Sequence, residues 1–128
     1  MMGESLRVLV VEDDAIIGMD IEHRVKKLGY VVCGVADTAE EALDIASRTH
    51  PDLALMDIRL RGEVDGIEAA RMLRDTLAVP VIFITAYSDM KMRSRALDMD
   101  PLGYIVKPLR EVELKNTLEA AEKKIRNG

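Results

Sequence analysis

Five short apolar runs, each followed by a stretch whose apolar residues recur at helical spacing, constrain the fold of this chain more than any other feature. Arg7–Val11 is apolar and β-branched and reads as a strand. From Asp14 to Leu28 the apolar positions Ile17, Ile21, Val25 and Leu28 follow one helical face, and Gly29 ends it. Val31–Ala36 is a second strand. Thr38 with Glu41 has the pattern of a capping box and opens a helix to about Arg48. After Pro51, Leu53–Met56 is a third strand that ends at Asp57. A polar loop leads to Asp65 and Glu68, which mark the start of a helix carrying Ile67, Ala70, Leu73 and Leu77 on one face. Pro80 precedes a fourth strand, Val81–Thr85. Ser88 is suited to cap a helix from about Asp89 to Met99. Gly103–Val106 is the fifth strand, and Leu114, Leu118, Ala121 and Ile125 line a last helix after Pro108.

Strands that are apolar nearly throughout are buried on both faces, which calls for a parallel sheet covered by helices. The expected fold is therefore α/β, a doubly wound five-stranded parallel sheet flanked by five helices. The order 2-1-3-4-5 follows from the fold class rather than from any residue, and right-handed crossovers then put two helices on one face and three on the other. The 128 residues form one domain, with a core from about 6 to 126, and no further output domain is expected within them.

The net charge of −5 argues against nucleic acid as a partner of this domain. No apolar run approaches the roughly 18 residues that would span a bilayer, so no membrane association is expected. The opening MMGESLRVLV lacks the positive charge and long apolar stretch of a signal peptide, and the expected location is cytoplasmic. Cys33 is the only cysteine, which excludes an internal disulfide; in its apolar run it reads as a small buried side chain. His23 and His50 read as surface residues, and Met90, Met92 and Met99 as core or half-buried positions.

The polar residues at the strand ends are more informative. In VLVVEDD, four apolar residues run into Glu12, Asp13 and Asp14. The third strand ends in Asp57, the fourth in Thr85, and the fifth leads into Lys107. In open α/β sheets ligands bind beyond the carboxyl ends of the strands, where the order reverses. For this order the switch point lies between strands 1 and 3, so Asp13 and Asp57 should be close. Crowded carboxylates resist full ionisation, and a hard divalent cation with oxygen ligands, Mg²⁺ or Mn²⁺, removes the conflict. Such an ion would gather an anionic substrate. Against this stands a plainer reading: solvated acids, with Asp14 simply starting a helix. Lys107 is either a simple ion pair or a counter-charge for phosphate. Thr85 is either a β-branched strand residue or a hydroxyl donor to a phosphoryl oxygen. The Lys107–Pro108 bond is a candidate cis peptide.

Taken together, VLVVEDD, LALMDIRL, DGIEAA, PVIFITAYS and GYIVKPL, in this order and spacing, resemble the receiver domains of two-component response regulators. The resemblance covers residues 7 to about 125 and implies a flavodoxin-like fold. It implies that Asp57 takes a phosphoryl group from a phosphohistidine on a sensor histidine kinase or phosphotransfer protein. It further implies that Asp13 and Asp57 ligate Mg²⁺ directly, that the Arg59 carbonyl completes the protein ligands, and that Glu12 acts mainly through water. Thr85 and Lys107 would hold the remaining phosphoryl oxygens, and Tyr104 matches the switch aromatic of the family. Arg59 and Tyr87 stand where family members tune the loss of the phosphoryl group. The face formed by helix 4, strand 5 and helix 5 is the expected effector or homodimer surface. Two departures stand out: Arg61 occupies a position where many members have a proline, and the loop before Asp65–Gly66 is about one residue longer.

Other readings of the same residues are weaker. A flavin-binding protein on this scaffold would carry a Ser/Thr/Gly-rich phosphate loop after strand 1, where this chain has carboxylates. An aspartyl-nucleophile phosphatase would need a second Asp two residues beyond the first, where Arg59 stands. The main alternative is a non-phosphorylated interaction scaffold, against which the set Asp13, Asp57, Thr85 and Lys107 argues.

Overall fold

The structure is a computed structural model in which residues 5–86 and 90–128 are described. Strands β1 (Arg7–Val11), β2 (Val31–Ala36), β3 (Leu53–Asp57), β4 (Val81–Thr85) and β5 (Gly103–Val106) form one sheet in the order β2-β1-β3-β4-β5. Every pairing is parallel. Helices α1 (Ala15–Lys27), α2 (Ala39–Thr49), α3 (Gly66–Leu77), α4 (Met90–Leu97) and α5 (Glu111–Asn127) alternate with the strands. Among the described residues no helix is long and apolar enough to cross a membrane.

Alternation along each strand sends side chains to opposite faces, and two apolar clusters result. Val8, Val10, Leu55, Ile82, Ile84 and Ile105 pack with α1 and α5 through Ile21, Val25, Leu114 and Leu118. Leu9, Val11, Met56, Val81 and Phe83 pack with α2, α3 and α4 through Ala42, Ala46, Ile67, Leu73 and Ala96. This is the expected two-and-three division of the helices.

The central strands β3 and β4 are buried at every residue. The edge strand β2 differs from the expectation of burial on both faces: only Ala36 is fully buried, and Val31 is exposed. Its apolar residues answer to one covered face and a partly open edge. Cys33 departs from expectation for a related reason. The register with β1 skips it, since Val8 faces Val32 and Leu9 faces Gly34. Cys33 is thus the extra residue of a bulge, half-buried, with its Sγ donating to the Val8 carbonyl at 3.4 Å.

Local chemistry sets the helix ends. Asp14 caps α1 by accepting from the N–H groups of Ile16 and Ile17, and Asp65 caps α3 by accepting from Glu68. Thr38 caps α2 by accepting from Glu41, but the Glu41 carboxylate reaches Asp37 N–H rather than that of Thr38, so the box closes one residue early. At the other end of α2, the Arg7 guanidinium from β1 donates to the carbonyls of Thr49 and His50. His23 and His50 are exposed, Met92 is half-buried and Met99 is buried. Ser88 and Asp89, expected at the start of α4, lie outside the described residues, as does Tyr87. The helix ends at Leu97, two residues short of expectation; Met99 N–H bonds back to Ala96 in a tighter turn, and Asp100 adopts φ 54°.

Gly66 places the start of α3 against β3. A Cβ built there would stand 1.9 Å from the Asp57 carbonyl oxygen and 2.7 Å from Ile58 Cα. Only a residue without a side chain lets the helix come this close, and Gly66 N–H donates to the Ile58 carbonyl at 2.7 Å.

Candidate functional site

The strands deliver their terminal side chains to one end of the sheet. Glu12 follows β1 and is held there by its own N–H, which donates to Ala36 O of β2 at 2.9 Å. Asp57 ends β3, and Thr85 ends β4. Lys107 follows β5, anchored by its N–H on the Thr85 carbonyl at 2.7 Å. The Lys107–Pro108 peptide is cis.

Glu12, Asp57 and Thr85 are the buried polar residues among those described, with relative exposures of 2%, 6% and 2%. Asp13 is half-buried and Asp14 exposed. Carboxylate oxygens of Glu12, Asp13 and Asp57 all lie within 4.8 Å of one another. Lys107 Nζ stands 2.6 Å from Glu12 Oε1 and 3.6 Å from Asp57 Oδ2. The other Glu12 oxygen accepts from Asp14 N–H at 3.2 Å, and Asp57 Oδ1 accepts from Arg59 N–H at 3.1 Å.

Two of the three acids, Glu12 and Asp57, share Lys107. Burial, together with the adjoining Asp57, pushes the Glu12 carboxyl above its ordinary range, and Lys107 and the Asp14 N–H only partly oppose this. Asp13 is raised by burial and by its neighbour Glu12, while Arg61 pulls it down. The cluster is therefore short of positive charge by an amount that a bound cation could supply, and its donors are the oxygens that Mg²⁺ or Mn²⁺ takes.

The remaining expected residues are arranged around this cluster unequally. Arg59 approaches through its main chain, with an exposed side chain. Tyr104, on β5, packs with the α2–α3–α4 cluster; its hydroxyl is buried and the Arg93 guanidinium lies 5.5 Å from its ring centroid. Tyr87 falls outside the described residues. Sequence reasoning foresaw Lys107 as a counter-charge but not Glu12 as its nearer partner. It noted Arg61 only as a departure from a family pattern. In the structure the Arg61 guanidinium donates to the Asp13 carbonyl at 2.6 Å.

The family model for the response regulator receiver domain matches residues 8–119. The chain belongs to this family. The receiver is 34% identical over 120 residues to the transcriptional regulatory protein PdtaR of Mycobacterium tuberculosis, covering 94% of this chain and 58% of that protein. It is 38% identical over 118 residues to the phyllosphere-induced regulator PhyR of Methylorubrum extorquens, covering 91% and 43%. The chain thus spans about half the length of these curated relatives. Among solved structures it resembles the signal receiver domain of a modulated diguanylate cyclase from Desulfovibrio desulfuricans, with a TM-score of 0.89, 37% identity and coverage of 96% and 98%. It is accordingly a signalling module of the two-component type, with a flavodoxin-like sheet and an acidic cluster at the strand termini.

Proposed function

We propose that this receiver is a phosphoacceptor: Asp57 takes a phosphoryl group from a phosphohistidine on a sensor histidine kinase or phosphotransfer protein. An Asp57 oxygen forms a bond to phosphorus as the phosphorus–nitrogen bond breaks, and the imidazole leaves with the electron pair. Phosphoryl transfer asks for an aligned nucleophile and neutralisation of the phosphoryl oxygens, and for little else from the protein. The convergence of Asp57 with Glu12, Asp13 and Lys107 carries the reading, because it offers a nucleophile beside both a cation-deficient acid set and a fixed ammonium.

Asp13, Asp57 and the Arg59 carbonyl are the residues that would hold Mg²⁺, with Glu12 acting through water. When bound, the ion supplies positive charge that offsets charge on the phosphoryl oxygens. Lys107 supplies a second positive charge from the other side. The buried Thr85 hydroxyl at the end of β4 would donate to a phosphoryl oxygen, and Tyr104, whose hydroxyl is already buried here, would be held in that inward position. Phosphorylation brings about −1.5 to −2 charge into this site, and the pull on Thr85 and Lys107 would shift β4, β5 and the helices after them. The exposed Leu97, Val106 and Val112 on α4, β5 and α5 support that face as the surface presented to an effector or a second copy. Arg59 and Tyr87 would set how fast water removes the phosphoryl group. The whole of 1–128 acts as one receiver, with its core at about 6–126, and promotes its own phosphorylation rather than turning over a substrate.

The test is incubation with acetyl phosphate and Mg²⁺. A hydroxylamine-labile phosphoryl label that maps to Asp57, needs the metal and is lost in Asp57→Asn is the expected result. A protein that binds no Mg²⁺ and takes no label would leave the interaction-scaffold reading in its place.

A further inference from the structure

The β3–α3 loop, residues 58–65, is built to hold one side chain in place. Ile58 is buried, and Leu60 and Val64 pack inward against the core. Gly62 turns the chain at φ 101°, leaving Arg61 and Glu63 on the outside. The main chain of Arg61 forms a parallel bridge with Thr38, the residue that caps α2. Its guanidinium then reaches the β1–α1 turn, where Nη2 donates to Asp13 O at 2.6 Å. One residue therefore ties together the loops after β1, β2 and β3.

The carbonyl it takes is one that α1 leaves open. The first turn of α1 closes on Asp14, whose carbonyl accepts from Gly18 N–H, so Asp13 lies just outside the helical ladder. The N–H side of the Asp13–Asp14 peptide is tethered by a longer bond to Glu12 Oε2 at 3.2 Å, and Arg61 holds its carbonyl side; with the carbonyl released the peptide has more freedom to tilt, and the Asp13 carboxylate moves with it. Ligand oxygens must be held to within a fraction of an ångström if the ion is not to lose affinity in ordering them.

We propose that Arg61 is a positioning residue for divalent-cation binding, fixing the Asp13 peptide so that its carboxylate faces Glu12 and Asp57. This rests on the reading of those three acids as the metal site. Arg61 acts through the hydrogen bond that orients the Asp13 peptide; its charge favours the ionised Asp13 carboxylate and also repels a cation, two effects that oppose each other.

The experiment is calorimetric titration of the full chain with MgCl₂, comparing wild type with Arg61→Ala, Arg61→Lys and, as a control in the same loop, Glu63→Ala. Arg61→Ala should weaken Mg²⁺ binding about five-fold, the equivalent of one ordinary hydrogen bond. Arg61→Lys, which keeps a donor, should return to within about two-fold of wild type, and Glu63→Ala should stay within the same margin. Unchanged or tighter binding by Arg61→Ala overturns the proposal, and so does a loss that Arg61→Lys does not recover. If wild type itself binds no Mg²⁺, it is the metal-site reading that fails.

Discussion

Replacing Lys107 by methionine removes a lysine within ion-pair reach of two buried carboxylates, Glu12 and Asp57, and keeps most of the side chain's length. At an effective dielectric of about 20, unit charges at the Lys107–Glu12 separation attract by roughly 6 kcal/mol before desolvation is counted. Loss of one partner of a buried pair commonly costs about 3–5 kcal/mol. A ceiling applies here, because the stranded acid can take up a proton. Protonating a glutamate of ordinary pKa at pH 7 costs about 3.7 kcal/mol, and at pH 5 only about 1 kcal/mol. Because Glu12 is already raised in the folded protein, its ceiling lies below these figures, and Lys107→Met should destabilise the metal-free protein by at most about 3 kcal/mol at pH 7 and by less than about 1 kcal/mol at pH 5. Urea unfolding followed by circular dichroism measures this, with Glu12→Gln and the double variant completing a cycle. In the Glu12→Gln background the lysine substitution should cost less than half as much. An equal cost at both pH values, or one undiminished by Glu12→Gln, would refute the claim that Lys107 stabilises chiefly by neutralising Glu12.

Two further outcomes follow from the same geometry. Glu12 and Asp13 are raised in the folded state, so the metal-free protein binds protons there more tightly than the unfolded chain does. Its stability from these groups is greatest below their unfolded values and is lost as pH rises through the folded ones. Mg²⁺ competes with those protons, so calorimetric affinity should be lower at pH 5 than at pH 8; equal affinity at the two would remove both acids from the ion's surroundings. Gly66→Ala would drive a methyl group into the Asp57 carbonyl and Ile58 Cα, both rigid main chain. It should cost more than about 2 kcal/mol in urea unfolding, as strained overpacking does, and a cost below about 0.5 kcal/mol would show that α3 can withdraw freely.

The strands, the helices and the residues that stand at strand ends were legible because they are local. Val81–Thr85 declares itself by five β-favouring residues between Pro80 and a polar turn, and α3 by Asp65, Glu68 and the spacing of Ile67, Ala70, Leu73 and Leu77. Asp57, Thr85 and Lys107 could be assigned to one end of the sheet because a parallel topology puts all strand carboxyl ends together. What the sequence left open depended on contacts between residues far apart in it. Burial of β2 was overestimated because an apolar run looks the same in the middle of a sheet and at its edge. The bulge at Cys33 arises from register with β1, which no property of Cys33 announces. The choice of Glu12 as the nearer partner of Lys107, 95 residues away, and the reach of Arg61 across 48 residues to Asp13, are fixed by where the loops come to rest. Periodicity and capping are properties of neighbours along the chain, and so the sequence alone determined the elements and the end of the sheet where the chemistry gathers. Distances between side chains on different strands are set by packing of the whole core, and only the tertiary structure decided which acid meets the lysine and which arginine holds the acid.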